Sequence, residues 1–172
     1  MAKARPLLYD RTMAELARTL TDPLYEEDFA AWADAQARVL RDRTVHALDW
    51  NNLAEEVESL GRRERNEART RLTLLIAHLL KWQFQPERRG HSWQSTIGEQ
   101  RVHLTALLED SPSLKSFPAE ILAACYRAAR RIASTETARP IGTFPPEAPY
   151  SIEQILSYDF MPGNPWSPED LS

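Results

Sequence analysis

Leu72-Thr73-Leu74-Leu75-Ile76-Ala77-His78-Leu79-Leu80, running on to Phe84, is the stretch whose reading decides the fold. With Leu53, Val57 and Leu60 upstream, its Leu72, Leu75, Ile76 and Leu79 make one apolar stripe at steps of three and four, the period of an α-helix. The stripe is interrupted by a polar stretch at 61–71, which contains Gly61. A glycine weakens a helix by roughly 1 kcal/mol relative to alanine without having to break it. Two forms therefore stay open: one helix of about 35 residues and ~50 Å, or two helices bent near Gly61. The apolar run is about half the ~20 residues that a bilayer span needs.

Working outward, Asp49 is placed to cap this helix. Before it, Asp22 and Pro23 predict the cap and first residue of a helix over 23–42. Glu26, Glu27 and Asp28 fill its first turn, where the helix dipole favours acids. Phe29, Trp32, Ala33, Gln36 and Leu40 make its inner face. Residues 1–20 carry only a weak helical pattern (Met13, Leu16, Ala17, Leu20) and are expected to be weakly ordered. On the other side, Gln85-Pro86-Glu87 ends the long helix and Gly90 marks the connection. A helix follows over 92–110, with Ser92 near its cap and Trp93, Ile97, Leu104 and Leu108 inward. After Asp110-Ser111-Pro112-Ser113 comes another over 118–135, through Ile121, Leu122, Cys125, Ala128, Ala129 and Ile132.

Seven of the twelve prolines fall in 140–172, which leaves the middle of the chain free for helix. Within that tail Ser151-Ile152-Glu153-Gln154 has capping-box spacing and predicts one short helix. No alternating run or hairpin turn predicts a strand. The expectation is an all-α helical bundle of about four main helices over 21–162, with a short C-terminal helix and a flexible Pro-rich tail at 163–172.

Composition narrows the function classes. Hydrophobic residues at 42% and charged residues at 27% are globular values, so 172 residues form a core of ordinary size. The one cysteine, Cys125, rules out an internal disulfide and multi-cysteine metal sites, and its apolar neighbours predict a buried thiol. The first residues lack the apolar core of a secretory signal, which predicts a cytoplasmic protein with no membrane association. The net charge of −4 is patterned: seven Lys/Arg against twelve Asp/Glu in 1–60, nine against four in 61–103, five against nine in 104–172.

Several segments together resemble a known family. They are Leu24-Tyr25-Glu26-Glu27-Asp28-Phe29 with Trp32, then Leu48-Asp49-Trp50-Asn51-Asn52-Leu53 continuing to Gly61. The most specific is His78-Leu79-Leu80-Lys81-Trp82-Gln83-Phe84-Gln85-Pro86-Glu87-Arg88-Arg89 with Ser92-Trp93. Leu108-Glu109-Asp110-Ser111-Pro112-Ser113-Leu114, Phe144-Pro145-Pro146 and Asp159-Phe160-Met161-Pro162 complete the set. From about Leu24 to Pro162 the chain resembles the bacterial family catalogued as domain of unknown function 29. The resemblance implies an all-helical fold. It implies no activity and carries over no catalytic residue.

Three groups of residues carry the candidate chemistry. His78, Lys81 and Trp82 share a helix face, and Arg88, Arg89 and Trp93 follow closely; arginines bind anions and tryptophans stack flat groups, so these six form a candidate small-anion or nucleotide site. Glu55 and Glu58 on the long helix, with Glu99 and Arg101 on the next, form a candidate acid–base network, since buried charges must be paired. Arg62, Arg63, Arg65, Arg69 and Arg71 offer phosphate contacts to nucleic acid. Against that stand Glu64 and Glu67, which can pair with them across helical turns, and a pI of about 5.6.

Metal and cofactor sites are not expected: no histidine lies in a Glu-x-x-His or His-Glu-x-x-His pattern. No Gly-x-Ser-x-Gly elbow or glycine-rich phosphate loop occurs, so no catalytic residue is assigned. The reading that remains is a non-enzymatic interaction or regulatory module that binds another protein or itself, through an exposed part of the long helix. A nucleic-acid-associated regulator is the alternative.

Overall fold

The computed structural model describes residues 23–163. The expected weak helix in 1–20, the cap at Asp22 and the tail beyond Gly163 lie outside them. The fold is an all-α helical bundle, with no strand among the described residues. Its helices are α1 (Pro23–Glu27), α2 (Phe29–Arg41), α3 (Trp50–Phe84), α4 (His91–Asp110), α5 (Phe117–Thr137) and α6 (Ile152–Leu156). Single 3-10 turns sit at Val45–Ala47, Pro86–Arg88, Pro112–Leu114 and Ile141–Thr143. The chain divides into two compact units, Met1–Gly61 and Arg62–Ser172.

In the first unit the single helix expected over 23–42 is two. Asp28, read as a first-turn acid, leaves helical geometry at φ −150° and caps α2, its carboxylate accepting from the Ala31 N–H at 3.0 Å. A short acidic side chain competes with the backbone for its own amides, which is why Asp breaks a helix where Glu would continue it. The unit has little apolar interior: Trp32 and Leu48 are its buried hydrophobic residues among those described. Its centre is Asp49 instead. That carboxylate accepts from the Trp32 indole N–H at 3.3 Å and the Asn52 side-chain amide at 2.7 Å. It also accepts from the Asn52 backbone N–H at 3.4 Å, while the Asp49 N–H donates to the Gln36 side chain at 2.9 Å. The expected N-cap of the long helix is thus also a buried polar hub.

Gly61 does not break α3, which is continuous over its 35 residues. The flanking Leu60, Arg62, Arg63 and Glu64 are good helix formers and offset the weakening by glycine.

The second unit holds a conventional core. Ala68, Leu72, Leu75, Ile76, Leu79 and Leu80 of α3 are fully buried with Ile97 and Leu104 of α4, Ala129 and Ala133 of α5, Phe144 and Ile155. Cys125 is buried among them, as its sequence neighbours predict. Helix α4 starts at His91 with Gly90 in the cap position and no side-chain cap bond, so Ser92, expected near the cap, is its second residue. Helix α5 ends on Ala138 in the left-handed region at φ 53°. Ser151 and Gln154 form the expected capping box of α6.

Candidate interaction surface and polar clusters

Six of the nine large hydrophobic residues exposed among those described lie in the first unit: Phe29, Leu40, Val45, Trp50, Val57 and Leu60. Three of them share α3 with half-buried Leu53. Trp50, Leu53, Val57 and Leu60 follow steps of three, four and three, the spacing by which a helix presents a seam to another helix. Trp50, Val57 and Leu60 are 59%, 61% and 58% exposed. Fully burying side chains of this size is worth about 1.5–3 kcal/mol each, so the ridge forgoes roughly 3–5 kcal/mol. Glu55 and Glu58, expected in a buried network, are exposed on the same turns. Tyr25 donates to Glu56 at 2.7 Å, and that bond first, then burial, pushes the phenol up to about 12.

In the second unit the six residues of the expected ligand site fall into two groups, His78 with Lys81 and Trp93, and Trp82 with Arg89, while Arg88 stands on the surface. His78 is buried; its Nδ1 lies 3.0 Å from the Leu74 carbonyl and its Nε2 3.4 Å from the Lys81 ammonium. An ammonium only donates, so Nε2 accepts and Nδ1–H donates to Leu74: the ring is the neutral tautomer. Burial lowers its pKa below the usual histidine value, and the Lys81 charge acts in the same direction, although the Leu74 bond opposes both. Lys81 pairs with Glu136 at 2.6 Å and sits 4.8 Å from the Trp93 ring centroid. The lysine is thereby consumed from both sides, by a carboxylate and an aromatic face.

Arg89 lies 5.3 Å from the Trp82 ring and donates to the Trp82 carbonyl at 2.9 Å, which closes the end of α3. The Trp82 ring is fully buried, and its Nε1 has no hydrogen-bond partner. Arg88 is exposed on the Pro86–Arg88 turn. Neighbouring Glu87 instead pairs with Arg139 at 2.6 Å. Arg89 thus fastens the end of α3, and Lys81 ties α3 to α5.

Arg101 corrects the expected acid–base network. It is 2% exposed, and its guanidinium meets backbone carbonyls in place of glutamates: Ile155 at 2.9 Å, Phe160 at 2.6 Å and Tyr158 at the hydrogen-bond limit. The planar fork of donors suits carbonyls left open at the end of α6, where the helix dipole is negative. Burial lowers its pKa from the ordinary arginine value. Glu99 is surface-exposed, 3.8 Å from His103 one turn on. Nothing local to Arg101 signals a segment more than fifty residues away, so sequence reasoning missed this clamp.

The five arginines of 62–71 do not act alike. Arg62, Arg65 and Arg69 recur at helix-face spacing and are exposed, as is Arg63. Arg71 is half-buried, paired with Glu67 at 2.7 Å and bonded to Gln100 at 3.4 Å. Arg69 lies 6.0 Å from the Phe117 ring. Glu64 accepts from the Ser111 hydroxyl at 2.7 Å, so the acids among these arginines are partly tied elsewhere.

Among the described residues no group of three or more His, Cys, Asp or Glu could hold a metal ion. No helix among them is long and apolar enough to cross a membrane. Among the described residues, the class these features define is an all-helical protein with one well-packed unit and one in which Trp50, Val57 and Leu60 stand exposed along a helix. Residues 24–161 match the family described as Domain of unknown function DUF29, and the chain belongs to that family. None of the curated proteins and none of the solved structures compared with it matches the chain.

Proposed function

We propose that the protein is a non-enzymatic, cytoplasmic interaction module of bacteria, working through the α3 ridge formed by Trp50, Leu53, Val57 and Leu60. One observation carries the reading: three large apolar side chains at seam spacing stand more than half exposed on one helix. Isolated exposed hydrophobes need no explanation, but apolar residues aligned on one face mark contact surfaces. The titratable clusters support it from the other direction. Lys81, His78 and Arg101 are each engaged by neighbours that hold structure in place.

The test is capture of partners from native lysate by three proteins: wild type, Val57→Asp/Leu60→Asp, and Arg62→Ala/Arg63→Ala/Arg65→Ala, each with and without nuclease. A partner that survives nuclease and is lost only with the ridge variant is the expected result. Nuclease-sensitive recovery, lost only in the arginine variant, would replace this reading with the nucleic-acid one. That alternative draws on the shared face of Arg62, Arg65 and Arg69.

A further inference from the structure

The second unit, which shares nothing with the exposed turns of the α3 ridge, carries a cleft of about 490 Å³ between α5 and the segment that follows it. That volume lies in the range of small-molecule sites, roughly 300–1,000 Å³. One wall is helical: Ala119, Leu122, Ala123, Tyr126 and Arg127 recur at steps that keep them on one face of α5. The two alanines leave open the space that larger side chains would fill. The other wall is Pro146, Glu147 and Ala148. Helix α5 anchors the root of that wall. Tyr126 donates its hydroxyl to the Pro145 carbonyl at 2.7 Å, and Arg130 donates to the carbonyls of Phe144 at 3.1 Å and Ile141 at 2.9 Å.

We infer that this cleft binds a short peptide of two or three residues, with apolar side chains and both termini free. Leu122, Ala148 and the buried Tyr126 ring give it an apolar lining for those side chains. Arg127 and Glu147 place one cation and one carboxylate on different walls, both exposed. Neither has a hydrogen bond or ion pair with any described residue, whereas nearby Glu120 is held by the Ser116 hydroxyl at 2.7 Å. A guanidinium takes a peptide's terminal carboxylate through paired N–H donors, and a carboxylate takes its terminal ammonium. The backbone N–H groups of Glu147 and Ala148 also have no acceptor among the described residues. Main-chain donors of this kind hold extended peptides by their carbonyls. Length agrees as well. From Ala119 to Arg127 the helix advances about 12 Å at 1.5 Å per residue, and three extended residues reach about 10–11 Å. A single amino acid covers a third of that, and an internal stretch of a longer chain brings no charged ends to Arg127 and Glu147.

The experiment is an NMR shift titration of the full chain with alanyl-leucyl-alanine, its N-acetyl form, its C-terminal amide and free leucine. Wild type is compared with Arg127→Gln, Glu147→Gln and Ala123→Phe, all at exposed positions, with circular dichroism confirming that each variant is folded. The free tripeptide is expected to bind wild type saturably, with millimolar affinity or better, and leucine at least about tenfold more weakly. Masking either terminus should weaken binding about threefold to tenfold, as for a charged hydrogen bond that is partly solvated. Arg127→Gln should bind the tripeptide and its amide equally and still discriminate against the acetyl form. Glu147→Gln should do the reverse. Such crossed losses isolate each contact, which a general structural change would not do. Ala123→Phe should abolish binding by filling the cleft.

Equal binding of the free, acetylated and amidated tripeptides by wild type would overturn the assignment, because the termini would then be idle. So would leucine binding as tightly as the tripeptide, binding undiminished by Ala123→Phe, or no saturable binding by wild type. A dimer in sedimentation equilibrium that Ala123→Phe converts to monomer would overturn it too, since a second copy would then hold the cleft. Ridge-dependent capture from lysate is unaffected by any of these results, so the failure of one reading leaves the other in place.

Discussion

The two ends of helix α3 are built from the same kind of sequence and reach opposite outcomes. On a helical wheel of 100° per residue, eighteen residues complete five turns, so Trp50 shares its position with Ala68, Val57 with Leu75 and Leu60 with His78. The later three are buried, and the earlier three are more than half exposed. Periodicity identifies the apolar face of a helix; whether anything covers that face depends on the rest of the fold. Residues 68–84 meet α4 and α5 in a shared core, while 50–60 belong to a unit centred on a carboxylate.

That contrast makes ranked predictions. Leu75→Ala, in the packed half, should cost about 3–5 kcal/mol in denaturant unfolding, from lost burial and the cavity left behind; a loss below about 1 kcal/mol would mean the core there is loose. Arg101→Met should cost about 2–4 kcal/mol by leaving the buried carbonyls of Ile155 and Phe160 without donors. Asp49→Ala should cost about 1–3 kcal/mol, removing a helix cap and the acceptor for Trp32 and Asn52 together. Hydrogen exchange would show whether the damage stays in 45–60, as the division into two units requires, or spreads to 72–80.

A smaller effect follows from His78. Its pKa is lowered in the folded protein, so between that value and the unfolded value of about 6.5 the unfolded chain binds more protons. Stability is therefore complete above about pH 6.5 and declines as pH falls through and below it. Thermal melts of wild type and His78→Gln across pH 5–8 check this, with the variant expected to lose that part of the slope. Smallest of all, Val57→Ser should change stability by under about 0.5 kcal/mol because its side chain is already solvated, whereas Leu75→Ser would unfold the core.

How far the sequence could be read follows from how local each signal is. The stripe of α3, the Asp49 cap and the capping box of Ser151 and Gln154 each depend on residues within a few positions, and all were legible. The break at Asp28 was local too, but Asp is suited both to a first turn and to an N-cap, and composition does not choose between them. The Arg101 clamp was illegible because its partners are carbonyls, which every residue carries. The cluster around His78, Lys81 and Trp93 was visible as a group; Glu136, which engages the lysine, lies fifty-five positions on. Which part of the long helix stands exposed was hidden for the opposite reason, since the residues of the ridge look like any core stripe.

The Arg101 clamp also sets an order of events during synthesis. Its acceptors at Ile155 and Phe160 lie 54 and 59 residues further along the chain. At roughly 5–20 residues per second, a ribosome delivers them about 3–12 s after the arginine itself. Until then helix α4 carries a cation that has no place in a closed interior. A nascent chain stopped short of residue 155 would hold an uncompensated arginine and stay open to proteases. Release of the C-terminal segment thus becomes the moment at which the second unit can close.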